Sequence, residues 1–178
     1  MKIAFYGARP AGVILLTSLR ALGYTVTHVF AEDLEVELTA KTFALPLYNY
    51  KTLNSKKTIT ELKEKVDLFI CCHGWTILSG EFVSQIRCIN FHPCLYHYKG
   101  LHPIQRLIHD NNPKASVATH FMTEKIDEGK IIYEEFRIIQ DITKKTEADV
   151  YSELYPLYIS VLKETLFRIQ MKSHLSEK

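Results

Sequence analysis

Apolar residues along this chain alternate between short unbroken runs and stripes at helical spacing. Ile3, Ala4, Phe5 and Tyr6 form a run that stops at Gly7, after which Leu15, Leu16, Leu19 and Leu22 recur with a helical period until Gly23. A run followed by such a stripe predicts a strand leading into a helix. The same logic gives a strand over 25–30, a helix over 34–43, a short extended segment over 45–48, a helix over 56–65 and a buried strand over 66–72. Strands alternating with helices predict an α/β fold with a mostly parallel, Rossmann-like central sheet and flanking helices.

The second half continues the pattern. Phe82 and Val83 close a short helix before a strand over 86–91, which delivers Asn90 and His92 at its carboxyl end, the edge at which open α/β sheets bind ligands. Pro103 suits the first turn of a helix running toward His109, Asn111-Asn112-Pro113 makes a turn, and strands follow over 116–122 and 131–139. From 146 to about 171, Val150, Leu154, Leu157, Ile159, Val161, Leu162, Leu166 and Ile169 mark a long helix that Pro156 interrupts or kinks. Its stripe of Tyr151, Tyr155 and Tyr158 looks exposed, and packs either on the sheet or on a second subunit of a homodimer. Residues 1–172 are expected to form one catalytic domain, and 173–178 a flexible tail.

Composition narrows the class. At 178 residues and 47% hydrophobic, the chain can bury a substantial core. A formal charge of +2, with no long basic block, favours small anionic ligands over nucleic acid. Met1-Lys2 passes straight into an apolar strand without a leader pattern, and no apolar run is long enough to span a bilayer, so a cytoplasmic location without membrane contact is expected. Cys71, Cys72, Cys88 and Cys94 contain no Cys-x-x-Cys pair and read as reduced, buried thiols. His92, His97 and His102 lack the tight helical spacing of metal ligands, and no metal is expected.

The chemistry-bearing residues fall in four short motifs: Ile89-Asn90-Phe91-His92-Pro93, Lys99-Gly100-Leu101-His102-Pro103, Thr119-His120-Phe121-Met122 and Ile126-Asp127-Glu128-Gly129. Two apart in a strand, Asn90 and His92 point to the same face. An Asn amide can donate to a developing oxyanion, a His can move a proton, and an Asp can orient that His, which together are the parts of an acyl-transfer site.

In this order and spacing the motifs resemble the folate-dependent formyltransferase family, in which an Asn-x-His-Pro element ends a central strand and an Asp-x-Gly loop lies downstream. The resemblance runs from the first strand to about Phe136 and is strongest between Ile70 and Ile132. It implies a Rossmann-like formyltransferase domain, N10-formyltetrahydrofolate as cosubstrate, no metal, and Asn90, His92 and Asp127 as catalytic residues. In that scheme a tetrahedral intermediate is stabilised by Asn90 and His92, and Asp127 assists proton transfer. The segment Cys72-His73-Gly74-Trp75-Thr76-Ile77-Leu78 resembles the family's loop around the pterin ring, giving Trp75, Ile77 and Leu78 as folate contacts. Thr123 lies in the segment expected to close the other side, and His120 aligns with a histidine often found shortly before the catalytic Asp.

The acceptor is read from the amino-terminal turn. Tyr6-Gly-Ala-Arg-Pro-Ala-Gly12 leads into a helix whose amides could meet an anion, yet it carries Arg9-Pro10 where glycinamide ribonucleotide transformylases have a Gly-Ser-Asn type phosphate loop. Methionyl-tRNA formyltransferases normally carry a further domain and basic elements for tRNA. The chain looks most similar to enzymes acting on nucleotide-linked amino sugars, with Arg9, Tyr98 and Lys99 as candidate acceptor contacts. The alternatives are a glycinamide ribonucleotide transformylase, a non-catalytic folate or nucleotide-binding module, and a metal-dependent hydrolase using His92, His120 and Asp127.

Overall fold

Each strand that the apolar runs predict is present in the computed structural model, which describes residues 1–176. The elements are β1 (Lys2–Gly7), α1 (Arg9–Ala21), β2 (Thr25–Ala31), α2 (Leu34–Thr42), β3 (Leu47–Tyr48), α3 (Lys56–Lys65), β4 (Leu68–Cys72), α4 (Gly80–Gln85), β5 (Cys88–Pro93), α5 (Pro103–His109), β6 (Lys114–Phe121), β7 (Ile131–Ile138) and α6 (Glu147–Ser176). The strands form a seven-stranded sheet in the order β3-β2-β1-β4-β5-β6-β7. Residues group into two compact units, Met1–Phe91 with Phe121–Gly129, and His92–His120 with Lys130–Lys178.

In the first unit β1 pairs in parallel with β2 on one side and β4 on the other, while β3 joins β2 and β5 joins β4, also in parallel. A strand hydrogen-bonded on both sides and covered on both faces has to be apolar throughout, and Ile3, Ala4, Phe5 and Tyr6 are fully buried. Alternation sends Ala4 and Tyr6 into a cluster with Phe30, Phe69, Cys71 and Cys88 from the neighbouring strands, Ile59 and Leu62 from α3 and Phe82 from α4. Phe69 and Phe82 meet edge to face with centroids 4.9 Å apart. The opposite side is covered by α1, through Leu15, Leu16 and Leu19, and by α2, through Val36 and Ala40. Gly12 permits the close approach of these two helices, because a Cβ there would stand 3.0 Å from Val36.

In the second unit β6 and β7 pair antiparallel, with β7 largely half-buried or exposed and β6 buried from Ala115 to His120. The α6 helix packs on β7 and α5. Its start is held by Thr146 and Asp149: the Thr146 N–H donates to the Asp149 carboxylate at 2.8 Å, and the Asp149 N–H donates back to the Thr146 hydroxyl at 3.2 Å. Pro156 lies inside the helix. Of the two packings open to the tyrosine stripe, Tyr151 and Tyr158 take the core. Tyr158 is fully buried and Tyr151 nearly so, alongside Leu154, Val161 and Leu162. Helix α6 also runs on to Ser176, into the segment expected to be a tail, of which Glu177 and Lys178 lie outside the described residues. Among the described residues, no helix is long and apolar enough to cross a membrane.

His28 gives this fold a pH dependence. It is buried on β2 with its Nδ1 2.9 Å from the Thr27 hydroxyl and a Tyr48 ring 4.5 Å away, while Nε2 faces Glu61 at 3.6 Å, beyond a hydrogen bond. Burial lowers its pKa, and the Glu61 carboxylate offsets this only in part. The unfolded chain therefore takes up the proton first, so the stability His28 contributes is present above its ordinary value of about 6.5 and lost as pH falls below it. Denaturant unfolding should show a lower midpoint at about pH 5.5 than at about pH 7.5, and His28→Phe should shrink the difference.

Candidate active site

Because β1, β2, β4 and β5 run parallel, their carboxyl ends and the loops that follow lie along one edge of the first unit. Non-glycine residues at that edge or in its loops adopt the left-handed region: Arg9 at φ 63°, His73 at φ 56° and Asp127 at φ 55°. Such backbone is uncommon outside glycine and concentrates at functional sites.

Strand β5 places Asn90 half-buried, opposite Cys71 of β4 in register. Asp127 is 9% exposed. Its charge acts on the Cys71 thiol, which burial, together with the nearby Glu32 and Asp127 carboxylates, pushes up to about 12. Asp127 and Asn90 both belong to the first unit.

His92 follows two residues after Asn90 on β5. In the second unit its ring is set by main-chain acceptors, with Nδ1 2.8 Å from the Pro93 carbonyl oxygen and Nε2 3.2 Å from that of Gly100. A neutral ring donates through one nitrogen, and a second proton lets both donate. The backbone therefore orients the imidazole. His120 is buried at the end of β6.

The loop after β4 carries Trp75 and Ile77 in solvent, 60% and 69% exposed, above a buried Leu78. Trp75 is therefore not a core residue. Asn54 spans the loop's second half, donating to the Ile77 carbonyl at 2.9 Å and accepting from the Ser79 N–H at 2.8 Å. Thr123 is exposed and donates to the Lys125 carbonyl at 2.9 Å.

Arg9 opens α1 with its guanidinium 5.6 Å from the centre of the Trp75 ring. Its N–H donates to the Asp33 carboxylate, Pro10 has no N–H, and the Gly12 N–H is bonded to Ala8. Asp33 thus supplies an internal anion at this helix start, and it also caps α2 by accepting from the Val36 N–H at 2.9 Å. Tyr98, read as an acceptor contact, is 3% exposed, and its hydroxyl accepts from Asn112 at 3.1 Å. Lys99 is exposed, and its carbonyl accepts from Arg106. Tyr6, Glu32, Thr76 and Asn54 escaped the sequence reading. A tyrosine ending a fully buried strand, where its hydroxyl must find a partner, was the available signal.

The fold places the chain among Rossmann-like α/β proteins with a ligand edge at the carboxyl ends of the strands. Residues 29–162 match the family described as Formyl transferase, and the chain belongs to that family. It is 28% identical over 125 residues to the methionyl-tRNA formyltransferase of Campylobacter jejuni, covering 69% of this chain and 40% of that protein. The chain thus spans about two fifths of the length of the curated relative it matches. Among solved structures, phosphoribosylglycinamide formyltransferase from Bacillus halodurans superposes with a TM-score of 0.80 at 21% identity, covering 97% of each chain. A sugar N-formyltransferase from a Shewanella species gives 0.75 at 23% identity, covering 93% of this chain and 68% of that one.

Gly74 sits where a Cβ would stand 2.1 Å from the ring of the buried Tyr6. Gly74→Ala should therefore displace the loop, lower stability by about 1–3 kcal/mol in denaturant unfolding and speed chymotrypsin cleavage at Trp75.

Proposed function

We propose that this chain is an N-formyltransferase that moves a formyl group from N10-formyltetrahydrofolate to the amine of a nucleotide-linked amino sugar. The observation that carries the reading is the Asn90-x-His92 pair at the carboxyl end of a central strand, with the buried carboxylate of Asp127 acting on the neighbouring strand end. The family draws its formyl group from N10-formyltetrahydrofolate. An exposed Trp75 and Ile77 on a braced loop fit an apolar ring of that kind, and Leu78 lies beneath them. The donor supplies an activated formyl carbon.

The chain's own groups then divide the work. The Asn90 amide donates to the formyl oxygen as negative charge develops there. His92 delivers a proton to the departing nitrogen, its ring held by the two main-chain carbonyls. Asp127 receives the proton of the attacking amine, directly or through a water. His120 and Thr123 supplement the donor contacts, and Arg9 and Lys99 the acceptor contacts, with Tyr98 supporting the segment that bears Lys99. Four buried free cysteines suit a reducing cytoplasm, where we place the reaction.

The amino-sugar acceptor is preferred because Asp33 already occupies the amide at the start of α1, which disfavours a phosphate monoester held by that turn. The similarity to phosphoribosylglycinamide formyltransferase keeps glycinamide ribonucleotide as the second acceptor to assay.

The deciding assay is release of tetrahydrofolate with a panel of nucleotide-linked 3-amino and 4-amino sugars, beside glycinamide ribonucleotide and methionyl-tRNA. Turnover with a sugar supports the reading, and turnover only with one of the other acceptors reassigns the substrate. Asn90→Ala should lower kcat by about 10²–10³-fold while folate binding stays near wild type. Loss of folate binding in step with turnover would count against the role given to Asn90.

A further inference from the structure

Two bulky apolar side chains stand in solvent on the loop after β4, and the groups that hold them there are polar. Glu32, the residue following β2, is half-buried and accepts three hydrogen bonds: from the Tyr6 hydroxyl, from the Trp75 N–H at 2.6 Å and from the Thr76 hydroxyl at 3.0 Å. The Tyr6 hydroxyl in turn accepts from the Thr76 N–H at 2.8 Å. Tyr6 is itself immobile, fully buried at the end of β1 among Phe30 and Phe69. Burial, reinforced by Glu32, raises its pKa, so the phenol stays a donor throughout the neutral range.

The network fixes the main chain at Trp75 and Thr76 and nothing beyond it. Packing cannot explain the exposed positions of Trp75 and Ile77, since each leaves well over half of its surface in water. Arg9 lies over one face of the indole and makes that ring a partly covered plate. A rigidly presented plate with an apolar neighbour suits a flat heterocycle, and fixing it before binding removes an ordering cost that would otherwise weaken affinity.

We propose that Glu32 and Tyr6 are positioning residues for the ring system of the folate donor. They set the height and tilt of Trp75, and so govern donor affinity rather than the rate of transfer. The proposal rests on the folate reading of this loop given above. A carboxylate at position 32 accepts from all three donors with its negative charge, whereas the amide of Gln leaves a neutral oxygen facing Tyr6 and the Trp75 N–H and so removes the charge assistance from those bonds.

Trp75 is the only tryptophan in the chain, so its fluorescence reports this loop alone. The full chain is titrated with 5-formyltetrahydrofolate while Trp75 emission is followed, and steady-state constants are measured with N10-formyltetrahydrofolate and the acceptor found active. Wild type should show saturable quenching. Glu32→Gln should raise both the folate Kd and the donor KM about tenfold, the scale of one charge-assisted hydrogen bond, while kcat and acceptor KM move less than about twofold. Tyr6→Phe should give a smaller rise in the same constants. Thr76→Val removes a single bond to Glu32 and supplies the reading, an increase of about threefold, should circular dichroism show that Glu32→Gln does not fold.

Unchanged donor constants in folded Glu32→Gln, or a fall in kcat with donor affinity intact, would overturn the positioning role while leaving the formyltransferase reading in place. A wild-type chain that neither quenches with folate nor turns over the donor would remove that reading, and the positioning role with it.

Discussion

The structure of the first unit depends on one constraint: β1 is paired in parallel on both sides and buried on both faces. Its backbone donors and acceptors are committed to β2 and β4, so its side chains must satisfy the helices above and below. Parallel pairing also brings the carboxyl ends of β1, β2, β4 and β5 to one edge. The burial that stabilises the sheet therefore collects the loops that carry chemistry. It sets the demand made by Tyr6 as well, because a buried phenol near the carboxyl end of such a strand has to find a polar partner at the edge or lose the free energy of a desolvated hydroxyl. Glu32 is that partner, and the loop after β4 is held in place as a consequence.

The elements were legible because their periods are local. Apolar runs at 3–6 and 68–72 announce strands, helical spacing announces α1 and α6, and the strand motif around Asn90 locates the ligand edge before any coordinate is known. Pairings distant in sequence left no such trace. The partners Tyr6 and Glu32 are 26 residues apart, and Glu32 and Trp75 are 43 apart. In neither case does the residue type alone announce the partner. The tyrosines of α6 left two packings open for a related reason. A ring with a polar tip suits water or a packed interior equally, and only the wide buried arc from Val150 to Leu166 decides between them.

The amino terminus of α1 shows how a general rule can be fulfilled internally. A helix start attracts an anion because its first amides lack partners and its dipole is positive there. In this chain the anion is a side chain, Asp33, which meets the Arg9 N–H and caps α2 at once. Asp33 was not part of the sequence expectation, because an acid 24 residues downstream is invisible to a motif that ends at Gly12.

Glu32 and Asp33 are adjacent, and this adjacency organises the edge. Asp33 has an extended backbone, with φ −135° and ψ 170°, and in extended chain successive side chains point to opposite sides. One dipeptide can therefore serve two loops: Glu32 turns to the loop after β4 and holds Trp75 and Thr76, while Asp33 turns to the start of α1 and holds Arg9. The two braced loops meet again where the Arg9 guanidinium covers the Trp75 ring. A rotation of either loop would have to break charge-assisted bonds at its own acid and disturb the cation–π contact to the other, so the loops are coupled through a closed circuit of side chains. Their relative placement is a property of the end of β2, although neither loop is part of that strand.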